Sequence, residues 1–502
     1  MKQSRKLKQQ QAVLDKAETY EQWRAAAKDY DDMSGATLWR RRDHTRLYDY
    51  IQIRKRLENL RNLRTKKDDH GLLFALNEGV HGNMGGMGNT DLYTQSLLGT
   101  KHLIEDYCTE IADAVRHLAA LDQDVISFEE KYDFFHRASL CFGRSALMLS
   151  GGGSLGHFHL GVIKALMEHD LVPHVLSGSS AGSMVSAIYG TRSRAEMEDY
   201  VDVDSLVAEF SAEAGELKRM RKGSVNYSTE EVRAALERLI PNLTFQEAYD
   251  RTGCYINISV APAELHQTSR LLNAITAPNV LVRDAVLASC AVPGVFPPVA
   301  LHAKDASGKV RDYLPGRRWI DGSLSEDFPI KRLSRLYGVN HYIGSMINPI
   351  LYFSNEHEPG ERPDMRARFR QWNFRNISSS LRYANKLAQK YGGNSPRLKL
   401  FTNTATAVFS QDYRVDIAVY PNFEQFELRK LIQPIAGEKL LEIFQQGERA
   451  AWRRMGMIEN CTKISRTLDE VLLATDNRAV KGRPHRPTLN GHLLRAASND
   501  GT

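Results

Sequence analysis

The chain has 502 residues, 42% of them hydrophobic and 25% charged, the balance of a soluble globular protein with room for two to four domains. Its formal charge is +7, and residues 1–67 alone hold 18 Lys and Arg against 9 Asp and Glu. No apolar run approaches the ~18–20 residues of a membrane helix, so no transmembrane span is expected.

The N-terminal MKQSRKLKQQQAVLDKAE has no apolar stretch behind its basic residues, so a secretory signal is not expected. The five cysteines, Cys108, Cys141, Cys254, Cys290 and Cys461, are odd in number and lack C-x-x-C spacing. That argues against a disulfide framework or a zinc site and for an intracellular, cytoplasmic setting. From residue 12 to about 135, three segments with apolar positions three and four apart predict a mostly helical region, with HGNMGGMGN as a glycine-rich connector. Its basic residues lie on helical segments without a base-stacking module, so nucleic acid is not an expected partner. An anionic membrane or lipid-droplet surface, worth about 1 kcal/mol per basic residue near it, or plain solubility, would account for them.

From about residue 144 short apolar strands alternate with helices, the pattern of an α/β fold. RSALMLS is a predicted strand, followed by GGG and a helix over about 156–169. PHVLSG is a second strand, leading through SSAG into SMVSAIYG, a helix of small residues. Further strands are predicted at CYINISVAP, RRWID, VNHYIGSMI and YRVDIAVY, with helices over residues 200–250 and in 352–475. Beyond Asp476 a tail rich in Arg, Gly, Pro and Asn reads as disordered. The predicted organisation is a helical extension over 1–135, an α/β core over 140–350, a section completing it over 351–475, and a tail over 476–502.

The run GGGSLG from Gly151 fits three motifs. As G-x-G-x-x-G it is a dinucleotide fingerprint, but the next strand ends in Leu176-Ser177-Gly178 without the acid that would hold a ribose. As G-x-S-x-G it places Ser154 at a nucleophile elbow, and a second G-x-S-x-G, GSSAG, places Ser180 in the next βα turn. Gly178 and Gly182, like Gly152 and Gly156, meet the elbow's need for bare positions around the serine, so spacing alone does not separate the two. As bare glycines opening a helix, Gly151, Gly152 and Gly153 with Ser154 present backbone N–H groups suited to an oxyanion. Asp321, ending a predicted strand in RRWIDGSLSEDFP, is the candidate base, provided desolvation raises a carboxylate that is otherwise weakly basic at neutral pH.

Together GGGSLGHFHLG, GSSAGS, SCAVPGVFPP and DGS resemble the patatin-like phospholipases. The resemblance implies a three-layer α/β/α core with a mostly parallel sheet, lipid acyl hydrolase activity, and a Ser–Asp dyad needing neither metal nor organic cofactor. It makes Ser180 the nucleophile, Asp321 the base and residues 151–154 the oxyanion loop, which leaves the match at Ser154 incidental. Segments from YEQWRAAAKDYDDMSGATLWR to GERAAWRRMGMIEN, about residues 15–475, are similar to a subgroup with an N-terminal helical extension that includes fungal triacylglycerol lipases and bacterial relatives. Ser323 follows Asp321-Gly322 where patatins often carry Gly or Ala, and Gly82 stands where the subgroup more often has Arg. Some relatives are credited with lysophospholipid acyltransferase activity through H-x-x-x-x-D; His44 with Asp49 and His117 with Asp122 fit at a level chance explains. His157 and His159 suit packing or support. The expected function is a serine lipid acyl hydrolase at a lipid surface, the alternatives being a transacylase side activity or a lipid-binding scaffold with little catalysis.

Overall fold

The computed structural model describes residues 2–80, 82–202, 205–206, 229–264, 268–293, 296–322, 326–347, 415–421 and 437–481. The chain divides into two compact units, one of residues 1–50, 85–105 and 143–462, the other of residues 51–84, 106–142 and 463–502. The helices expected over 1–135 are shared between them.

In the first unit, α1 (Lys2–Lys16), α2 (Tyr20–Ser34) and α3 (Ala36–Arg41) come first. The start of α2 is set by Thr19, whose hydroxyl accepts the Gln22 N–H, and its end by Gly35 at φ 85°, the left-handed conformation a bare residue adopts cheaply. One face of α2 buries Trp23, Ala26 and Ala27. At its far end the buried Asp31 carboxylate accepts the Ser96 hydroxyl at 2.6 Å and the Leu97 and Leu98 N–H groups at 3.0 and 3.2 Å. Burial raises the Asp31 pKa, opposed by those three hydrogen bonds and the Arg40 charge.

The second unit contains most of α4 (Tyr50–Thr65), α5 (Asp69–Asn77), most of α6 (His102–Ala120), α7 (Phe128–Phe142) and the later part of the C-terminal helix. Arg61 and Arg64 of α4 reach Glu110 of α6 at 3.4 and 3.2 Å. The predicted connector HGNMGGMGN contains a short 3-10 turn at Met84–Gly86.

The first unit is built on a seven-stranded sheet of order β4-β3-β2-β1-β8-β9, with β7 also on β3. Its strands are β1 (Arg144–Leu149), β2 (Val175–Gly178), β3 (Tyr255–Pro262), β4 (Arg270–Leu272), β7 (Trp319–Asp321), β8 (Val339–Ser345) and β9 (Ile417–Val419). Strands β3, β2, β1, β8 and β9 run parallel, while β4 and β7 are antiparallel to β3. β1 is buried on both faces, which is why it reads as an unbroken apolar run. Its Leu147 and Leu149 join one core with Phe158, Ile163 and Phe444, and Ala146 and Met148 join another with Leu333 and Tyr337. The result is the expected α/β/α layering with a mostly parallel sheet.

On the first face α8 (Gly156–Met167) packs on α15 (Gly437–Trp452), and α9 (Ala181–Gly190), α10 (Arg194–Tyr200), α11 (Thr229–Leu239), α12 (Phe245–Thr252) and α13 (Val282–Ser289) complete the layer or its edge. A Cβ on Gly161 would strike the Phe444 carbonyl, and one on Gly447 would strike the Phe158 carbonyl. The two helices therefore cross backbone to backbone. α14 (Ile330–Tyr337) covers the other face.

Three strands lie outside the sequence expectations: β4, and the hairpin β5 (Leu301–Lys304) with β6 (Val310–Tyr313). The C-terminal helix α16 (Met455–Lys481) corrects the expected tail. Residues 476–481, in ATDNRAVK, continue its last turns instead of beginning a disordered segment; residues 482–502 lie outside the described residues. So do residues 203–204 and 207–228 of the helical stretch predicted over 200–250, and residues 348–414 and 422–436.

Candidate active site

β2 and β3 pair in parallel up to Gly178 opposite Ile258, and the chain then turns abruptly. Ser180 adopts φ 48° and ψ −121°, a strained conformation for a residue with a side chain and the signature of a nucleophile elbow. The flanking glycines are sterically obligatory: a Cβ on Gly178 would meet the Gly182 carbonyl, and one on Gly182 would meet the Leu149 carbonyl. Ser180 N–H donates to Ser289 Oγ at 2.9 Å, and Ser289 Oγ–H donates to the Ser259 carbonyl at 2.9 Å. The elbow is thus tied through α13 to β3. α9 begins at once, with Ser183 N–H and Met184 N–H on the Ser180 carbonyl at 2.9 and 3.2 Å.

Asp321 is brought to the same place by strand register. Ile258 pairs with Gly178 on one edge of β3 and with Leu272 of β4 on the other. Val260 pairs with Arg270 of β4 and with Asp321 of β7. β7 therefore occupies the edge that β2 vacates, with Asp321 two residues, about 7 Å, further along β3 than Gly178. The Asp321 N–H donates to the Ala291 carbonyl at 3.0 Å. A Cβ on the next residue, Gly322, would lie 2.5 Å from Ser259 C and 2.6 Å from Val260 N. Ser180 and Asp321 consequently flank one stretch of backbone, Ser259–Val260, and Asp321 is buried. Burial, with the Asp321 charge adding, pushes the neighbouring Cys290 thiol up to about 12, against a lowering hydrogen bond from Ser183. Cys290 is held there as a neutral thiol.

The glycine run follows β1. Gly153 has φ 57° and opens a 3-10 turn, Gly153–Leu155, that contains Ser154. A Cβ on Gly152 would strike the Ile347 side chain, and one on Gly156 would lie 3.3 Å from Ala181 Cβ, so the start of α8 sits directly on the elbow. Ser150, just before the run, donates its N–H to the Ser345 carbonyl at 3.0 Å and accepts the Ile347 N–H on Oγ at 2.9 Å. His159, fully buried on α8, bridges the Ser150 carbonyl at 2.9 Å through Nε2 and Ser345 Oγ at 2.7 Å through Nδ1. A carbonyl accepts only, so Nε2 carries the proton and Nδ1 takes the Ser345 hydroxyl. Burial lowers the His159 pKa to about 4, with the Ser150 hydrogen bond opposing. It is a neutral brace under the loop, the supporting role expected of it.

Asp327, which carries no motif in the sequence, completes the neighbourhood. Its Oδ1 accepts the Gly151 N–H at 3.1 Å and the hydroxyl of Ser179. Burial raises its pKa to about 7; the Ser179 and Gly151 hydrogen bonds oppose the rise and the Asp321 charge adds to it. Gly151 N–H is therefore engaged, so the next three N–H groups, those of Gly152, Gly153 and Ser154, are the loop's candidates for an oxyanion.

A family model described as "Patatin-like phospholipase" matches residues 147–333, the segment that carries the glycine loop, the elbow and Asp321. Residues 147–333 are a patatin-like phospholipase domain. Ahead of it, residues 1–140 match a "Domain of unknown function (DUF3336)". Over 475 residues the chain is 32% identical to "Triacylglycerol lipase SDP1L" of Arabidopsis thaliana, covering 90% of this chain and 57% of that one. It is 32% identical over 489 residues to "Triacylglycerol lipase 4" of Saccharomyces cerevisiae, covering 92% and 53%. The chain spans little more than half the length of these relatives. VipD from Legionella pneumophila, a solved structure, aligns over 61% of this chain and 67% of its own with 13% identity and a TM-score of 0.28, a level with no bearing on the site.

Within the patatin-like domain the structure brings together Ser180, Asp321, Gly178, Gly182 and the run 151–154. The H-x-x-x-x-D pairs do not assemble as such: His117 binds Asp69 at 2.8 Å, and His44 packs edge-on to Tyr50 at 5.5 Å. Ser179, Ser289 and Asp327 escape sequence reasoning because each acts through burial and a few hydrogen bonds, which leave no periodicity. The one sequence signal for Asp327 is its place in the acidic run SEDFP, just past the candidate base.

Proposed function

We propose that the chain is a serine lipid acyl hydrolase of the triacylglycerol lipase or phospholipase type. Ser180 Oγ attacks the ester carbonyl while Asp321 takes its proton, and the Gly152, Gly153 and Ser154 N–H groups receive the oxyanion. Collapse expels the alcohol, which takes the proton from Asp321, and leaves an acyl-Ser180. Water, deprotonated by Asp321, attacks that ester, and collapse returns the proton to Ser180 and releases the fatty acid. Neither a metal nor an organic cofactor enters these steps. The observation that carries the reading is the strained Ser180 sharing the Ser259–Val260 backbone with a buried Asp321, beside a loop of bare glycines. The names of the two relatives support a long-chain lipid ester as substrate.

Labelling by a fluorophosphonate and hydrolysis of a long-chain p-nitrophenyl ester test the assignment. Ser180→Ala is expected to abolish labelling and to lower kcat by about 10³-fold or more. Ser154→Ala keeps the backbone N–H and stays within about tenfold of the parent. A labelled Ser180→Ala, or the opposite ranking of the two variants, would sink the assignment.

A further inference from the structure

The last backbone bond between β1 and β2 is Ser179 N–H to the Leu149 carbonyl at 3.4 Å. Beyond it the two strands part, one into the glycine loop and the other into the elbow, and catalysis requires the loop's donors and the elbow's serine to keep a fixed spacing. We propose that Asp327 is a positioning residue for this site: one buried carboxyl oxygen takes the Gly151 N–H and the Ser179 hydroxyl together, and so sets the distance between the oxyanion loop and the nucleophile.

The geometry is that of a strut. Gly151 is the residue immediately before the three candidate donors, and Ser179 is the residue immediately before Ser180. A shift of Asp327 therefore moves both halves of the site relative to each other. The strut is itself anchored: Glu326 N–H donates to the Gly322 carbonyl at 3.0 Å, and the Glu326 carboxylate pairs with Arg332 of α14 at 3.1 Å. Asp327 thus lies six residues past Asp321 in the chain and joins the loop to the elbow beside it. Ser179 and Asp327 are both buried, so water is a poor substitute for either partner.

Charge gives the strut a second property. The ionisable group facing Asp327 from β7 is Asp321; from the loop and elbow it meets the uncharged Gly151 N–H and Ser179 hydroxyl, on its own segment Glu326 is paired with Arg332, and His159 on α8 is held neutral. A protonated Asp327 leaves the negative charge of the site, among the described residues, on Asp321. An ionised one places a charge on the loop beside the position where the oxyanion grows, and slows its formation. Activity is accordingly expected to fall as pH rises through about 7, the value at which Asp327 gives up its proton.

This inference rests on Ser180 as the nucleophile, and its test separates the two. Second-order labelling of Ser180 by a fluorophosphonate is measured against pH for the parent, Asp327→Ala, Asp327→Asn and Ser179→Ala, with amide hydrogen exchange of peptides spanning 147–161 and 176–183. Asp327→Ala is expected to slow labelling about 10²-fold, the effect of a misplacement near 1 Å, through kcat rather than KM on a soluble short-chain ester, and to speed exchange in both peptides. Asp327→Asn keeps an acceptor oxygen, so it restores most of the lost rate and removes the fall above pH 7. Ser179→Ala, which deletes one small group, gives an intermediate loss and keeps that fall; it carries the test if Asp327→Ala does not fold. Parental labelling in Ser179→Ala, an Asn variant as impaired as the Ala variant, or an unchanged pH profile in Asp327→Asn would each overturn the strut. If parental Ser180 does not label, the functional reading fails, and exchange unchanged in Ser179→Ala would then overturn the strut by itself.

Discussion

Two buried ionisable residues of the site pull stability in opposite directions with pH. His159 has its pKa lowered to about 4 from an unfolded value near 6.5, so the folded state resists taking the proton. Its contribution is complete above about pH 6.5 and is lost as pH falls through 4, up to about 3 kcal/mol for a shift of this size. Asp327 is raised to about 7, so its contribution is complete below about pH 3.8 and is lost as pH rises through 7. His159→Gln is therefore expected to gain stability relative to the parent as pH falls from 6.5 to 4, and Asp327→Asn to gain relative to the parent as pH rises from 4 to 7. Urea unfolding midpoints across this range measure both, and parallel curves for parent and variant would reject the linkage.

At the scale of elements, α8 matters most, because it carries the glycine loop at one end and His159 in its first turns. Its position is set by the crossing with α15, where Gly161 and Gly447 let backbone lie on backbone. Gly447→Ala forces the helices apart against a carbonyl that has no room to yield. A loss of about 1–3 kcal/mol in urea unfolding is expected, together with slower labelling of Ser180, since the loop moves with its helix. Full labelling at reduced stability would show that the loop is held independently of α15.

The same elements show what could be read from the chain. β1, β2, β3 and β8 are legible because each is a buried apolar run closed by Gly, Ser or Pro, and the helices after β1 and β2 because each opens on a glycine-bearing turn. Strand β4 is RLL and β6 is the exposed VRDY; they are strands because a partner pairs with them, not because of their own composition. The elbow and glycine loop were legible because sterics demand glycine at fixed offsets. Asp327 was not, since a buried acid between an elbow and a loop differs from a surface acid only through its neighbours.

At the scale of the whole molecule, no described helix is long and apolar enough to cross a membrane; the lipid surface expected from the sequence is tested at the exposed cations of the N-terminal helix. Arg5, Lys6 and Lys8 lie exposed along α1, within the basic 1–67 segment. Neutralising all three to Gln is expected to weaken binding to anionic vesicles by about 3 kcal/mol, roughly a hundredfold at low salt, and to flatten its dependence on ionic strength. Equal sedimentation with vesicles at low and high salt, in parent and variant alike, would remove this segment from lipid contact.

The strand exchange on the edge of β3 also imposes a timetable. β2 brings Ser180 to that edge early in the chain, while β7 reaches it only after β4, α13 and the β5–β6 hairpin have been made. A nascent chain therefore owns its elbow and glycine loop long before it owns its base, and no partly synthesised product ending before Asp321 holds a complete dyad. On refolding, the return of esterase activity reports the docking of a three-residue strand, so it should lag the recovery of helical signal. On the proposed mechanism, a chain assembled in this order hydrolyses no ester until β7 has docked on β3.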